Sequence, residues 1–437
     1  MEALRVVGGR PLRGRISVSG SKNASLPAMA ASLLAAGDHM LWGAPDLTDV
    51  RTLALVLGGM GVRVRRHDHA LRMEATNVTH VTAPYDLVRT MRASILVLGP
   101  LLARFHRARV SLPGGCAIGA RPIDQHIEGL RCLGARLTVR HGYVEAEAPG
   151  GLVGNAFTFR MPTVTGTENL MLAATLARGT TVLHNAACEP EVEDLGRALA
   201  GMGARIEGAG TSTVRIEGQP RLSPLRHRVL SDRIEFGTYL VAGALAGAPL
   251  TVCGGDPAHQ GALVAVLQAL GCGMEFDGSQ VRIGRHRPGA GLSVATGPYP
   301  QLATDMQAQL MVLMALSNGD HVIEETVFEN RFMHVAELVR LGARIRVCDR
   351  RAYVAGSEAL SATTVMATDL RASACLVLAA LAARGTTTIR RIYHLDRGYE
   401  AMDAKLRAVG ADIERFREGD ALGQPFPPEA AAGEAAL

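Results

Sequence analysis

The sequence predicts an α/β repeat protein in which six copies of one helix-and-strand unit pack as two domains of three. Two periodic features and one compositional feature carry this expectation. An apolar-Gly-small motif recurs at Met60-Gly61-Val62, Leu133-Gly134-Ala135, Met202-Gly203-Ala204, Leu270-Gly271-Cys272, Leu341-Gly342-Ala343 and Val409-Gly410-Ala411, its glycines 73, 69, 68, 71 and 68 residues apart. A second glycine set, Gly37, Gly179, Gly247, Gly319 and Gly385, closes Ala-rich stretches in phase with the first. The 437 residues are 48% hydrophobic, only 4% aromatic and include 49 glycines. That composition suits small, closely packed elements and excludes a disordered chain.

Within each unit, leucines at helical spacing (LRCLG, LVRLG, LRAVG) mark an amphipathic helix, and runs such as ARLTV and ARIRV mark the strand that follows. Glycine stands between them because it adopts positive φ without a Cβ clash. The Ala-rich helices are apolar almost all round, which predicts central burial, and strands such as TTVLHNA and TTTIRRI follow them. The second copy departs from the pattern, running LLARFHRARVSL with no glycine at the turn. Units of about 70 residues call for a repeat architecture. Two three-unit domains, divided near Pro224–Arg228, accommodate them; a single long α/β solenoid satisfies the same spacing.

The net charge of +5 is dispersed, so the nucleic-acid signature is weak, and small anionic substrates fit equally well. Seven cysteines form no CxxC pair, which argues against zinc. Their odd count and irregular spacing predict reduced thiols in a cytosol. The opening MEALRVVGGRPLRGR carries no apolar signal-peptide core, and no apolar run reaches the ~18 residues of a membrane span. The end, PFPPEAAAGEAAL, reads as a low-complexity tail.

Polar residues gather in the first turns of the Ala-rich helices: SKNAS (21–25), RTMRAS (89–94), TGTENL (165–170), SDRIE (231–235), TDMQAQ (304–309) and TDLRAS (368–373). Ser21, Thr304 and Thr368 are good N-cap types, and the first-turn carboxylates Asp305 and Asp369 suit the helix dipole. Lys22, Arg92 and Arg371 do not suit it. Three cations at one repeat phase point to an anion bound at those helix ends. The segment SLPGGCAIGARPIDQH (111–126) sits in the unit that lost its turn and reads as a mobile loop presenting Cys116 and Arg121. An isolated cysteine is more often a buried hydrophobe; the flanking glycines and Arg121 favour exposure and a lowered thiol pKa. Gly20-Ser21-Lys22-Asn23 lacks the spacing of a Walker loop, and no GxGxxG follows a strand. His126, His334 and His394 show no ligand spacing and are as readily ordinary hydrogen-bonded residues as catalytic ones.

The strings SGSKNASLPAMAASLLA, YDLVRTMRASILVLGPLLAR, SLPGGCAIGARPIDQHIEGL, TDMQAQ, FENRFMH, ATDLRASACLVLAALAARGTTTI and IYHLDRGYE resemble the enolpyruvyl transferase family, in its UDP-N-acetylglucosamine branch. The similarity runs over roughly residues 1 to 415. It implies the inside-out α/β barrel, helices inside and sheets outside. It further implies one domain at 22–229 with the catalytic loop 111–122, a second at 1–21 and 230–417, and a tail at 418–437. The implied reaction transfers the enolpyruvyl group of phosphoenolpyruvate to the 3-hydroxyl of UDP-N-acetylglucosamine in peptidoglycan synthesis, in the cytoplasm, with no metal or organic cofactor.

Residue by residue, the resemblance implies that Lys22, Asn23, Arg121, Arg371 and Arg397 hold phosphoenolpyruvate. Asn23, Arg92, Arg121, Pro122, Ile123, Asp124, Gln125, Met161, Pro162, Thr163, Val164, Asp305 and Val327 would line the sugar-nucleotide site. Cys116 would protonate C3 of phosphoenolpyruvate, and Asp305 would take or orient the proton of the sugar hydroxyl. Thr48 and Leu96 depart from the basic and aromatic residues of some relatives. The same fold also supports transfer to shikimate 3-phosphate; the Cys116 loop and the FENRFMH and DLRAS strings favour the UDP-sugar branch. A non-catalytic UDP-sugar-binding regulator would be expected to lose the thiol, Asp305 or an arginine.

Overall fold

The computed structural model describes residues 2–89, 91–112, 123–286 and 291–418. It is an inside-out α/β barrel assembly, with six four-stranded sheets outside and Ala-rich helices inside among the described residues. All six sheets share one pattern: an edge strand pairs in parallel with a central strand, and two antiparallel strands follow. The parallel edge strand always comes from the preceding unit. Arg226–Arg228 closes one ring of three sheets by pairing with Asp38–Trp42, and Gly14–Ser17 closes the other by pairing with Leu250–Cys253.

The inner helices are Lys22–Ala31, Leu98–Phe105, Val164–Ala174, Arg233–Leu245, Gln307–Ala315 and Leu370–Ala382. Every described side chain of Gln307–Ala315 is buried. One apolar cluster is built from residues between Ala24 and Val229. A second joins Leu4, Val6, Leu12 and Ile16 to residues between Ile234 and Ile413. Two chain segments connect the clusters and run antiparallel, with Ser21 N donating to Leu230 O at 2.8 Å and Asp232 N to Ser19 O at 2.9 Å. Gly20 is required here, since a Cβ at that position would lie 1.8 Å from Gly43 O.

Both glycine series adopt the left-handed conformation the sequence demanded. Gly61, Gly134, Gly203, Gly271, Gly342 and Gly410 have φ between 80° and 104°, and Gly37, Gly179, Gly247, Gly319 and Gly385 between 71° and 124°. In the departing second unit His106 takes the glycine's place at φ 59° as the C-cap of Leu98–Phe105. Two N-cap expectations are corrected. Asp369, not Thr368, caps Leu370–Ala382 by accepting from Arg371 N and Ala372 N. Thr304 makes no cap either; its hydroxyl donates to Glu325 Oε2 at 2.8 Å. Ser21 does cap its helix, accepting from Ala24 N.

Candidate active site

First turns of inner helices meet where the two apolar clusters adjoin, and the charged side chains there are largely buried. Lys22 opens the first inner helix, 8% exposed. Its Nζ donates to Asp49 Oδ2 at 3.0 Å, and Arg397 Nε donates to Asp49 Oδ1 at 2.9 Å. Burial alone would raise the Asp49 pKa; the charges of Lys22 and Arg397 outweigh it and hold the carboxyl below its ordinary range. Beside them Asp232, the N-cap of Arg233–Leu245, accepts from Ile234 N and Glu235 N and, at 3.3 Å, from Lys22 N.

A second carboxylate lies between two guanidiniums. Asp305 Oδ1 accepts from Arg331 Nη2 at 2.5 Å and Oδ2 from Arg371 Nη2 at 2.8 Å. Burial opposes ionisation, and Arg371 and Arg331 override it, so the Asp305 pKa lies well below the usual carboxylate range. Arg371 is 5% exposed, and Asp305 keeps its guanidinium pKa above normal despite burial. Arg331 also donates to Thr304 Oγ1 at 3.2 Å. Glu325, which accepts the hydrogen bond of the Thr304 hydroxyl, also accepts from Val327 N at 2.9 Å and Phe328 N at 3.1 Å and so fixes the Val327 backbone.

A third group lies on the side of the first apolar cluster. Gln125 Oε1 accepts from Arg160 N at 2.7 Å, and its Nε2 donates to Met161 O at 3.2 Å, clamping the approach to Pro162. Asp124 pairs with Arg160. Thr163 caps the helix that Val164 opens, accepting from Gly166 N. Met161 is 59% exposed. Arg92 is half-buried near His126, whose pKa is pushed down to about 3 by burial and then by the Arg92 charge. A buried pair joins the two halves: Arg233 Nε lies 3.0 and 3.1 Å from the Glu191 carboxylate oxygens.

The residues from 6 to 406 match the family model described as EPSP synthase (3-phosphoshikimate 1-carboxyvinyltransferase). The chain is 58% identical to the UDP-N-acetylglucosamine 1-carboxyvinyltransferase of Anaeromyxobacter dehalogenans (strain 2CP-C), over 95% of this chain and 100% of the relative. It is 54% identical to the same-named protein of Dichelobacter nodosus, over 96% and 100%. The chain belongs to the enolpyruvyl transferase family. The crystal structure of the enolpyruvyl transferase NikO from Streptomyces tendae superposes on this transferase with a TM-score of 0.85 at 27% identity, covering 95% of this chain and 98% of that one. An EPSP synthase from Acinetobacter baumannii, 16% identical with a TM-score of 0.72 over 95% and 100%, shares the fold.

Among the expected site residues, the transferase thus joins Lys22 to Arg397 through Asp49, Asp305 to Arg371, and Gln125 to Met161. Asn23 is half-buried beside Lys22, and Ile123 precedes the helix that Asp124 opens. Cys116, Arg121 and Pro122 lie outside the described residues. Sequence reasoning passed over Asp49, Arg331, Glu191 and Arg233. Arg331 stood inside the FENRFMH string, and Arg233 repeated the cation-at-a-first-turn signal of Lys22 and Arg371. Asp49 and Glu191 carried no mark. Of the departures, Thr48 is exposed at the start of Thr48–Gly59 and Leu96 is buried in the core. Burial pushes the pKa of His334 down to about 4 and also lowers that of His394.

Proposed function

We propose that the protein transfers the enolpyruvyl group of phosphoenolpyruvate to the 3-hydroxyl of UDP-N-acetylglucosamine, releasing phosphate, as a step of peptidoglycan synthesis in the cytoplasm. The observation that carries this reading is the convergence of Lys22 and Arg397 on one carboxylate beside the Asp305–Arg371 pair. These are preorganised cations for a phosphate and a carboxylate, next to a carboxylate held ionised.

In this reading Lys22, Arg121, Arg371 and Arg397 bind phosphoenolpyruvate, with Asn23 beside them. The nucleotide sugar lies along Asn23, Arg92, the 121–125 segment, Met161–Val164, Asp305 and Val327. Asp305 accepts the proton of the 3-hydroxyl as its oxygen attacks C2, while Cys116 donates a proton to C3. Phosphate then leaves the tetrahedral ketal as the proton from C3 is removed and the enol ether forms. The guanidiniums stabilise the phosphate throughout. Residues 22–229 form one domain and residues 1–21 with 230–417 the other, with the substrates in the cleft between them.

Measurement of phosphate release from phosphoenolpyruvate with UDP-N-acetylglucosamine or shikimate 3-phosphate as acceptor tests the reading. Turnover with the nucleotide sugar alone is expected. Turnover with shikimate 3-phosphate alone would move the protein to the other branch, against the names carried by relatives more than 50% identical to it.

A further inference from the structure

We propose that Tyr399 is a positioning residue for the transfer reaction, holding Arg371 against Asp305, with Thr238 setting the direction in which its hydroxyl points. The proposal rests on the reading of Asp305 as proton acceptor given above.

Tyr399 is 1% exposed, and its hydroxyl meets groups from three inner helices. Thr238 Oγ1 lies at 3.0 Å, Gln309 Nε2 at 3.1 Å and Arg371 Nη1 at 3.3 Å. A hydroxyl carries one proton and two acceptor sites, so the directions can be assigned. Thr238 gives its single proton to Ile234 O at 2.7 Å. Its oxygen can then only accept, from Gln309 Nε2 at 3.1 Å and from Tyr399. Tyr399 therefore donates to Thr238 and turns both lone pairs to Gln309 and Arg371. The result is a chain polarised in one sense, from the Ile234 carbonyl through Thr238 and Tyr399 to Arg371, whose other amino group donates to Asp305 at 2.8 Å. Such chains strengthen each member.

A tyrosine that only fills a core needs one partner for its hydroxyl. This one has its proton and both lone pairs engaged, and one acceptor site is taken by a guanidinium facing the cleft. The ring is also 5.6 Å from the Arg371 guanidinium carbon. Among the described residues, the charged groups facing Asp305 are Arg371, Arg331 and, further off, Arg233. Arg371 alone among them is tied to Tyr399.

Tyr399→Phe removes one oxygen and leaves the ring. The Arg371 amino group then loses its acceptor, and kcat should fall by about tenfold or more, the size of one hydrogen bond to a charged group. The KM for UDP-N-acetylglucosamine should stay within about threefold. With Arg371 less firmly held, the Asp305 carboxylate is less stabilised, so the acid limb of the kcat/KM profile should move to higher pH. Thr238→Val should shift the limb in the same direction, and Thr238→Ser should restore it. These threonine variants keep the test intact if Tyr399→Phe does not fold. A lowered Tm with wild-type kcat and an unmoved acid limb in Tyr399→Phe and Thr238→Val would overturn the relay. Failure of the Asp305 reading is visible separately, as an Asp305→Asn enzyme with near-wild-type turnover.

Discussion

Lys22 and Arg397 share the carboxylate of Asp49, one on each oxygen, at 3.0 and 2.9 Å. They stand 375 positions apart in the chain. Asp49 thus pairs with the cations that the proposed function assigns to an anionic substrate. A carboxylate in that role both stabilises the two buried cations and competes with an anionic ligand for them.

Asp49→Asn should therefore destabilise the free protein by about 3 kcal/mol, the scale for breaking a buried ion pair. It should also leave Lys22 and Arg397 more available to anions. Inorganic phosphate is expected to raise the Tm of the variant more than that of the wild type. An equal phosphate response in the two proteins would remove Asp49 from the competition.

Asp305→Asn should lower kcat by at least about a hundredfold, since the amide keeps the shape but cannot accept the proton. The nucleotide-sugar Kd from calorimetry should change by only a few-fold. A variant within tenfold of the wild-type rate would take Asp305 out of proton transfer.

The seven thiols should differ in reactivity. Burial raises the pKa of Cys132, Cys188 and Cys375, and that of Cys272 to about 12. The family resemblance implies that the epoxide fosfomycin alkylates Cys116, so brief treatment at neutral pH should give one adduct, on the peptide containing Gly115-Cys116-Ala117, faster when UDP-N-acetylglucosamine is present. Cys116→Asp should escape alkylation and stay active with a more acidic optimum. Peptide mapping that finds label on exposed Cys348 instead, or full activity in Cys116→Ala, would show that Cys116 is not the acid.

His39 carries the pH prediction for stability. Its Nδ1 accepts from Leu225 N at 2.9 Å and its Nε2 faces Ala35 O at 3.1 Å, so the neutral ring is built in. Burial pushes its pKa down to about 4. Between that value and the unfolded value near 6.5 the unfolded chain binds the extra proton. His39 thus favours folding fully above pH 6.5 and loses that contribution as the pH falls. His39→Asn should flatten the pH dependence of unfolding free energy by about 1.4 kcal/mol per pH unit between pH 4.5 and 6. Denaturant titrations across that range check it, and parallel slopes would refute it.

The repeats were legible because a chain turning from helix to strand needs positive φ, and glycine marks that need in eleven places. His106 does the same with no outward sign. In the site, Lys22 and Arg371 were legible because a cation at a helix N-terminus contradicts the dipole and demands an explanation. Their partners were not. Asp49 lies 27 residues from Lys22 and 348 from Arg397, and Arg331 lies 26 from Asp305, separations that no local periodicity encodes. Thr368 and Asp369 are both good caps, and only backbone geometry selects the aspartate.

The ring closures also set an order of events during synthesis. All three sheets around the first cluster draw on residues between Asp38 and Arg228, so that half can close soon after those residues leave the ribosome. Glu2–Val7, by contrast, lies between Thr386–Arg390 and Asp412–Arg417, and Gly14–Ser17 waits for Leu250–Cys253. The earliest strands to be made are thus among the last to find partners. At about 5–20 residues per second they remain unpaired for tens of seconds. In that interval their open edges, rather than the finished inner helices, are the part of the nascent chain most exposed to mispairing and to chaperones.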